Sequence, residues 1–290
     1  MKKFKKEMWG YIFLLPWLAF FLVFTVYPFC FGIYVSFTNY TLGTMTFIGF
    51  QNFKDVFADP AFFRSVVATL KYAVLIVPGI LIASLWVSKV LMYCGPKINA
   101  FTKVAFYLPT VTSQVALVIV WNFLFQPTFG LIAGIFTNVG LQPISWFTDP
   151  NLAIGVISFL CLAISLGQPI ILYTAAMNGI PQSYFEAAEI DGAKRNQVFF
   201  KITLPLLHST TTFIFITSTI AVMQIFVIPY LMTGGGPEYR TSSLLLMIYR
   251  AAFGDSKFGY ASAIGVIFFL ITGAIAAVQF RMMKQDVIEY

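Results

Sequence analysis

The sequence predicts an all-α, polytopic membrane protein with about six transmembrane helices, on three observations. Of its 290 residues 59% are hydrophobic and only 10% charged, with a mean hydropathy of +0.84, whereas soluble domains are roughly half apolar and a quarter charged. Apolar windows of about 20 residues, the length that crosses a hydrocarbon layer, recur along the whole chain. The basic residues gather in the short segments between those windows, the placement that orients a chain in a bilayer. No room remains for a sizeable soluble domain, so residues 1–290 read as a single transmembrane domain.

The first span runs from about Tyr11 to Phe37. Lys2, Lys3, Lys5 and Lys6 precede it as in a signal peptide. The apolar run is longer than a signal's core and lacks an obvious small-residue cleavage site, so the expectation is an uncleaved helix. The second, third and fourth spans are expected at Val66 to Leu91, Val104 to Phe125 and Leu152 to Met177. The fifth and sixth are expected at Leu206 to Met232 and Tyr260 to Phe280. Pro16, Pro28, Pro78, Pro109, Pro169 and Pro229 fall inside or at the ends of these spans. Each removes a backbone donor and tends to kink a helix, although proline is also simply common in membrane helices.

Six crossings place both termini on one side. The segments on that side carry twelve of the 18 Lys and Arg, and the opposite segments carry Lys54, Arg64, Lys71, Arg240, Arg250 and Lys257. The bias assigns both termini to the cytoplasm. The opposite segments include Gly49-Phe50-Gln51-Asn52-Phe53 with Asp59-Pro60, and Thr233-Gly234-Gly235-Gly236-Pro237. They read either as turns or as contacts for an extracellular partner.

Several function classes lose support. The net charge of +7 lies beside membrane spans, a placement unlike a nucleic-acid-binding surface. Cys30, Cys94 and Cys161 are widely spaced, without metal-ligand spacing, and read as packing residues. His208, the only histidine, has no second metal-type neighbour in the sequence and reads as structural. There is no GxxxxGK[ST] loop, so the chain lacks the usual ATP site. No ionisable residue falls near the middle of a span, which removes the acid-base relay of proton-coupled carriers.

The segment from residue 180 to 204 carries the most information. Gly179-Ile180-Pro181-Gln182-Ser183-Tyr184-Phe185-Glu186-Ala187-Ala188-Glu189-Ile190-Asp191-Gly192-Ala193-Lys194 predicts a short surface helix that starts near Pro181 and ends where Gly192 takes the left-handed conformation. A second helical piece, Asn196 to Lys201, leads into Thr203-Leu204-Pro205. Tyr184, Ala187 and Ala188 are spaced to share one face, slim enough to approach another protein closely. Glu186 and Glu189 lie on neighbouring faces, placed either to pair with a partner's cations or to be solvated beside Lys194 and Arg195. A docking helix and a plain connector both fit these residues.

Glu186-Ala187-Ala188, then Asp191-Gly192-Ala193, then Ile202-Thr203-Leu204-Pro205-Leu206 resembles the so-called EAA loop of permease subunits in bacterial ATP-binding-cassette (ABC) importers. The likeness extends to Gly49 to Phe53, Tyr107-Leu108-Pro109, Gly234-Gly235-Gly236-Pro237 and Tyr249 to Ser262. These resemble the carbohydrate-uptake branch with the maltose and glycerol-phosphate permeases, and within it the first of two paired permeases. The resemblance implies the transmembrane domain of a type I ABC importer in a bacterial plasma membrane. It also implies a coupling helix carrying Tyr184, Glu186, Ala187, Ala188, Asp191 and Gly192, seated on a cytoplasmic ATPase. The implied partners are a second permease, two ATPase subunits that hold ATP and Mg, and an extracellular solute-binding protein. No cofactor and no catalysis are expected on this chain, whose implied role is to pass a sugar or oligosaccharide by alternating access. An ion-gradient-driven carrier is the alternative.

Polar groups within the spans are candidates for a pathway, because a polar side chain facing lipid is costly. They are Gln114, Asn122, Ser165, Gln168, Tyr173, Ser218 and Gln224; hydrogen bonding between helices explains such residues equally well. Ser165, Gln168, Ser218 and Gln224 resemble, by position, places where sugar-binding relatives make contacts. The chain departs from some of those relatives in carrying Ala221, Val222 and Ile225.

Overall fold

The computed structural model describes residues 13–41 and 43–283. The lysines of the N-terminal tail, the expected start of the first span at Tyr11, and Lys284 lie outside the described residues. The chain is mostly helical, as predicted. It divides into two compact units, Met1–Phe62 with Met247–Leu270, and Phe63–Leu246 with Ile271–Tyr290.

In the first unit, α1 (Phe13–Val35) widens into a π-turn at Leu22–Val26, where the Tyr27 amide reaches back to the Leu22 carbonyl. The turn lies just before Pro28, whose ring and missing N–H disfavour a regular helical ladder. A two-stranded antiparallel hairpin follows, β1 (Thr38–Thr41) and β2 (Thr44–Phe47), with Thr38 opposite Phe47. It leads into α2 (Gln51–Ala58).

Asn52 of α2 is 6% exposed and donates from Nδ2 to the carbonyls of Ser36 (2.9 Å) and Thr38 (2.8 Å). Gly259 lies so close to the Thr38 carbonyl that a β-carbon there would collide with it. The Gly49 to Phe53 stretch is therefore the lock of this unit. Asn52→Ala leaves two buried acceptors without a donor and is expected to lower stability by about 2 kcal/mol, measured as a fall in the thermal midpoint in detergent.

Asp59 accepts hydrogen bonds from the Ala61 amide (2.8 Å) and the Tyr260 hydroxyl (2.8 Å). It thereby supplies the start of α3 (Pro60–Leu91) with a cap. The short helix α13 (Leu244–Gly254), which the sequence reading did not separate, ends in a π-turn, and its Ala251 and Ala252 pack with Ala261 of α14 (Phe258–Met282).

The second unit holds most of the core. At 32 residues, α3 is about 48 Å long at 1.5 Å per residue, well beyond a hydrocarbon layer of about 30 Å. It continues unbroken through Pro78. The next three expected spans are interrupted. Helices α4 (Pro96–Val111) and α5 (Gln114–Leu124) meet at 96°. After α6 (Leu131–Asn138), α7 (Pro150–Ser165) and α8 (Gly167–Asn178) meet at 45°. After α9 (Gln182–Ile190), α10 (Arg195–Leu206) and α11 (His208–Met223) meet at 66°.

The fifth expected span, Leu206 to Met232, is broken again before α12 (Val227–Thr233), where Phe226 leaves helical geometry at φ −139°, ψ −59°. Proline chemistry accompanies these breaks. Pro109 lies in the last turn of α4, Pro169 in the first turn of α8, Pro205 just before the bend into α11, and Pro229 in the first turn of α12. Among the described residues, three single helices and three bent pairs are long and apolar enough to cross a bilayer.

Tyr72, Ile76, Ile157, Leu160, Tyr173 and Ile214 make up the middle of the core of this unit, each almost fully buried. The glycine turn after α12 places Gly234 at φ +57° and Gly235 at φ +81°. It is held to α3 by the Tyr72 hydroxyl, which donates to the Thr241 carbonyl (2.9 Å), and by the Leu244 amide, which donates to Thr69 Oγ1 (2.9 Å).

Candidate functional site

Three of the helix interruptions open onto one cavity of 530 Å³ in the second unit. Thr110 and Gln114 line it from either side of the α4–α5 break. Ser165, Gln168 and Pro169 line it around the α7–α8 break, and Gln224, Ile225, Phe226 and Val227 line it at the break after α11. Ser218 and Thr217 reach it from within α11, beside Phe213, Ala221 and Val222. Non-helical backbone at membrane depth is tolerated where it is buried in protein or faces a water-filled space, because lipid offers nothing to the freed amides and carbonyls. Thr110 Oγ1 meets part of that demand by donating to the Ile164 carbonyl at the end of α7 (3.0 Å).

The polar candidates therefore divide by what they touch. Asn122 donates to the Leu231 carbonyl (3.1 Å) and Tyr173 to Thr211 Oγ1 (3.2 Å), so these two are spent on joining helices. Gln114, Ser165, Gln168, Ser218 and Gln224 all line the cavity. The side-chain amides of Gln114, Gln168 and Gln224 have no hydrogen-bond partner among the described residues. Each amide offers two donors and an acceptor. Sequence reasoning missed Thr110 and Thr217, since a threonine in a span usually bonds back to its own helix. It also missed the break that turns Gln224 outward from α11; Pro229, five residues on, is the one signal for it. Among the described residues no carboxylate or amine lines the cavity, and Cys161 is its only thiol.

The second candidate region is α9 with the chain leading into α10. Gly192 takes φ +66°, its amide donates to the Glu189 carbonyl (3.0 Å), and the Ala193 amide donates to the Ala188 carbonyl (2.9 Å). These two bonds are the paired closures of a Schellman cap. Lys194 then starts α10, its amide donating to Gln197 Oε1 (2.8 Å).

Of Tyr184, Glu186, Ala187, Ala188, Asp191 and Gly192, only Ala188 is buried, at 6% exposure. Of the three residues expected to share one slim face, Tyr184 and Ala187 are exposed while Ala188 packs into the chain. The outward face carries Glu186, Ala187 and Ile190, the last 88% exposed and not singled out from sequence. This largely bare isoleucine lies at helix spacing from Glu186 and Ala187, so the three form one exposed face.

This region is tied to the end of α3. Lys89 Nζ donates to Asn196 Oδ1 (3.0 Å) and lies 4.6 Å from the Phe199 ring centre and 5.0 Å from that of Phe200, while the Arg195 guanidinium lies 4.8 Å from the Tyr93 ring. Such cation–ring contacts fix orientation as well as adding attraction.

Residues 76–288 match the family described as the binding-protein-dependent transport system inner membrane component. The chain belongs to this family. The match takes in both the cavity and the α9 segment, so both are parts of a family member's inner membrane component. The chain is 34% identical to the probable ABC transporter permease protein YesP of Bacillus subtilis, over 96% of this chain and 91% of the relative. It is 30% identical to the multiple sugar-binding transport system permease protein MsmF of Streptococcus mutans, over 98% of each. Its fold matches a bacterial alginate ABC transporter, crystallised in complex with an alginate pentasaccharide-bound periplasmic protein, with a TM-score of 0.85 at 23% identity over 99% of both chains. The inner membrane component described here is thus a permease with the type I ABC importer fold.

Proposed function

We propose that this permease carries an uncharged sugar or short oligosaccharide, which an extracellular solute-binding protein delivers, through the cavity at the helix breaks. The observation that carries the reading is the convergence of three interruptions on one space walled by unpaired amides, by hydroxyls and by Phe213 and Phe226. Sugar hydroxyls need both donors and acceptors, and sugar C–H faces pack on aromatic rings. A wall without charge suits a neutral solute and gives a proton nothing to ride on, which weighs against an ion-gradient-driven carrier. The naming of MsmF for sugar transport, and the pentasaccharide-bound protein on the structural neighbour, support a sugar or oligosaccharide as the solute; the neighbour's alginate is acidic, so the neutral charge rests on this chain's own cavity wall alone.

Energy reaches the cavity from the other end of α8. In this reading α9 seats in a cleft of one of two cytoplasmic ATPase subunits, which hold the ATP and Mg, and a second permease completes the pore. Glu186, Ala187 and Ile190 make the contact. The Gly192 cap fixes the helix direction, and the Lys89 and Arg195 contacts pass its displacement to α3. Both termini then lie in the cytoplasm.

The test is uptake of labelled sugar by the reconstituted importer, with ATP hydrolysis measured beside it. Gln168→Leu and Gln224→Leu each remove hydrogen bonds to the solute and are expected to raise the half-saturating concentration about tenfold. Ala221→Trp fills the cavity and is expected to stop uptake. In all three variants, hydrolysis stimulated by the binding protein should persist. Normal uptake by the tryptophan variant would remove the cavity from the pathway.

A further inference from the structure

We propose that a basic notch at the far end of α3 receives a carboxylate side chain of the solute-binding protein, in exchange for this chain's own Glu238. The proposal rests on the reading above that the binding protein approaches the end of the permease opposite α9.

Arg64, Lys71 and Arg240 line the notch, a space of 400 Å³ completed by Phe63, Val67, Pro150 and Asn151. Arg64 is 25 residues from Lys89 along α3, about 38 Å at helical rise, so the notch and the α9 contacts lie at opposite ends of one helix. Arg64 Nη1 donates to both the carbonyl (3.1 Å) and Oε2 (3.2 Å) of Glu238. Arg240 Nη2 lies 3.5 Å from the same Oε2. A side-chain carboxylate therefore already fits between the two guanidiniums, the planar donors best suited to it.

Three features make that carboxylate replaceable. The pair is open to water, with side-chain exposures of 44% for Arg64 and 60% for Glu238, and exposed ion pairs hold weakly. Positive charge is also in excess. Lys71 donates to the neutral Asn151 Oδ1 (3.2 Å), and the nearby Asp149 is directed at the Asn151 and Leu152 amides of α7. Finally, Glu238 (φ +50°) and Tyr239 (φ +62°) occupy the left-handed region, which is uphill for residues with a β-carbon. Letting Glu238 go allows that loop to relax. Phe63 and Val67, each 52% exposed, offer an apolar wall to the stem of an incoming glutamate or aspartate.

The experiment uses the assembled importer in nanodiscs of phosphatidylcholine and its own solute-binding protein, with binding measured at low and high salt. Arg64→Ala with Arg240→Ala is expected to weaken binding about tenfold and remove most of its salt dependence. Glu238→Gln frees the guanidiniums and is expected to tighten binding about threefold. Lys97→Ala, a change of exposed charge beyond the opposite end of α3, should bind as wild type. Retention of the ATPase subunits on size exclusion shows that each variant is assembled.

Binding by the double variant within twofold of wild type would overturn the notch while leaving the transport reading in place. Failure of the wild-type importer to bind the protein at all would overturn both. If the double variant instead loses only a response to added phosphatidylglycerol, the occupant is a lipid headgroup and the proposal is wrong.

Discussion

Changing Gly192 to proline is expected to abolish ATP-driven uptake while the permease stays in the membrane. Proline holds φ near −65°, and Gly192 stands at +66°, so the turn after α9 cannot form. The substitution also deletes the amide that donates to the Glu189 carbonyl, and it displaces the Ala193 amide from the Ala188 carbonyl. Without both closures α9 frays from its C-terminal end, and Glu186, Ala187 and Ile190 lose their fixed direction. A docking loss of about 3 kcal/mol corresponds to more than a hundredfold in ATPase affinity.

Gly192→Ala grades the effect. Nothing lies within 4 Å of where its β-carbon would sit, so its only cost is the left-handed backbone, about 1 to 2 kcal/mol, and uptake should fall severalfold. Glu186→Lys leaves the cap intact and reverses one exposed charge, which tests the contact face without touching the fold. Co-purification of the ATPase subunits and uptake of labelled sugar are the two measurements. Normal transport by Gly192→Pro would reduce the segment to a connector.

Legibility from sequence follows the kind of force at work. Burial in lipid acts on whole windows, so composition and window length were enough to expect a helical membrane chain. The end of α9 was legible because a left-handed residue after a helical run favours glycine, a local rule. The helix breaks were less so. Pro78 and Pro109 look alike in sequence, yet α3 runs through the first and α4 ends two residues beyond the second. A proline's effect on a helix depends on its packed surroundings, which the sequence window does not contain. For the same reason the cavity residues could be named only as a pool. Asn122 and Gln114 have the same chemistry, and only the fold shows one donating to Leu231 while the other lines the cavity. Spacing and the resemblance both put Ala188 on the docking helix, but spacing gives only the angle between residues and not which way the helix is turned.

Gly167 marks the place where packing and pathway are one problem, and its replacement is expected to disable the permease by another route. A β-carbon at this position would lie 2.7 Å from the Phe106 carbonyl oxygen and 2.7 Å from Tyr107 Cα. Both are backbone atoms of α4 and cannot swing aside, so α4 must move away from α8. The shift pulls Thr110 from the Ile164 carbonyl it satisfies at 3.0 Å, and it separates Thr110 and Gln114 from Ser165 and Gln168 across the cavity. Overpacking of this kind costs about 1 to 3 kcal/mol. Gly167→Ala should therefore lower the thermal midpoint and cut uptake, and Gly167→Val should lose most of the folded permease. Gly155, more than three turns earlier and within α7, has nothing within 4 Å of its would-be β-carbon. Gly155→Ala should then be neutral or stabilising by up to about 1 kcal/mol, since a helix interior favours alanine. The pair of variants, compared by thermal unfolding in detergent and by uptake, separates close approach of helices from the general effect of adding a methyl group. Equal behaviour of the two alanine variants would mean that α4 and α8 do not meet at Gly167 in the working permease, and that the cavity wall is built differently there.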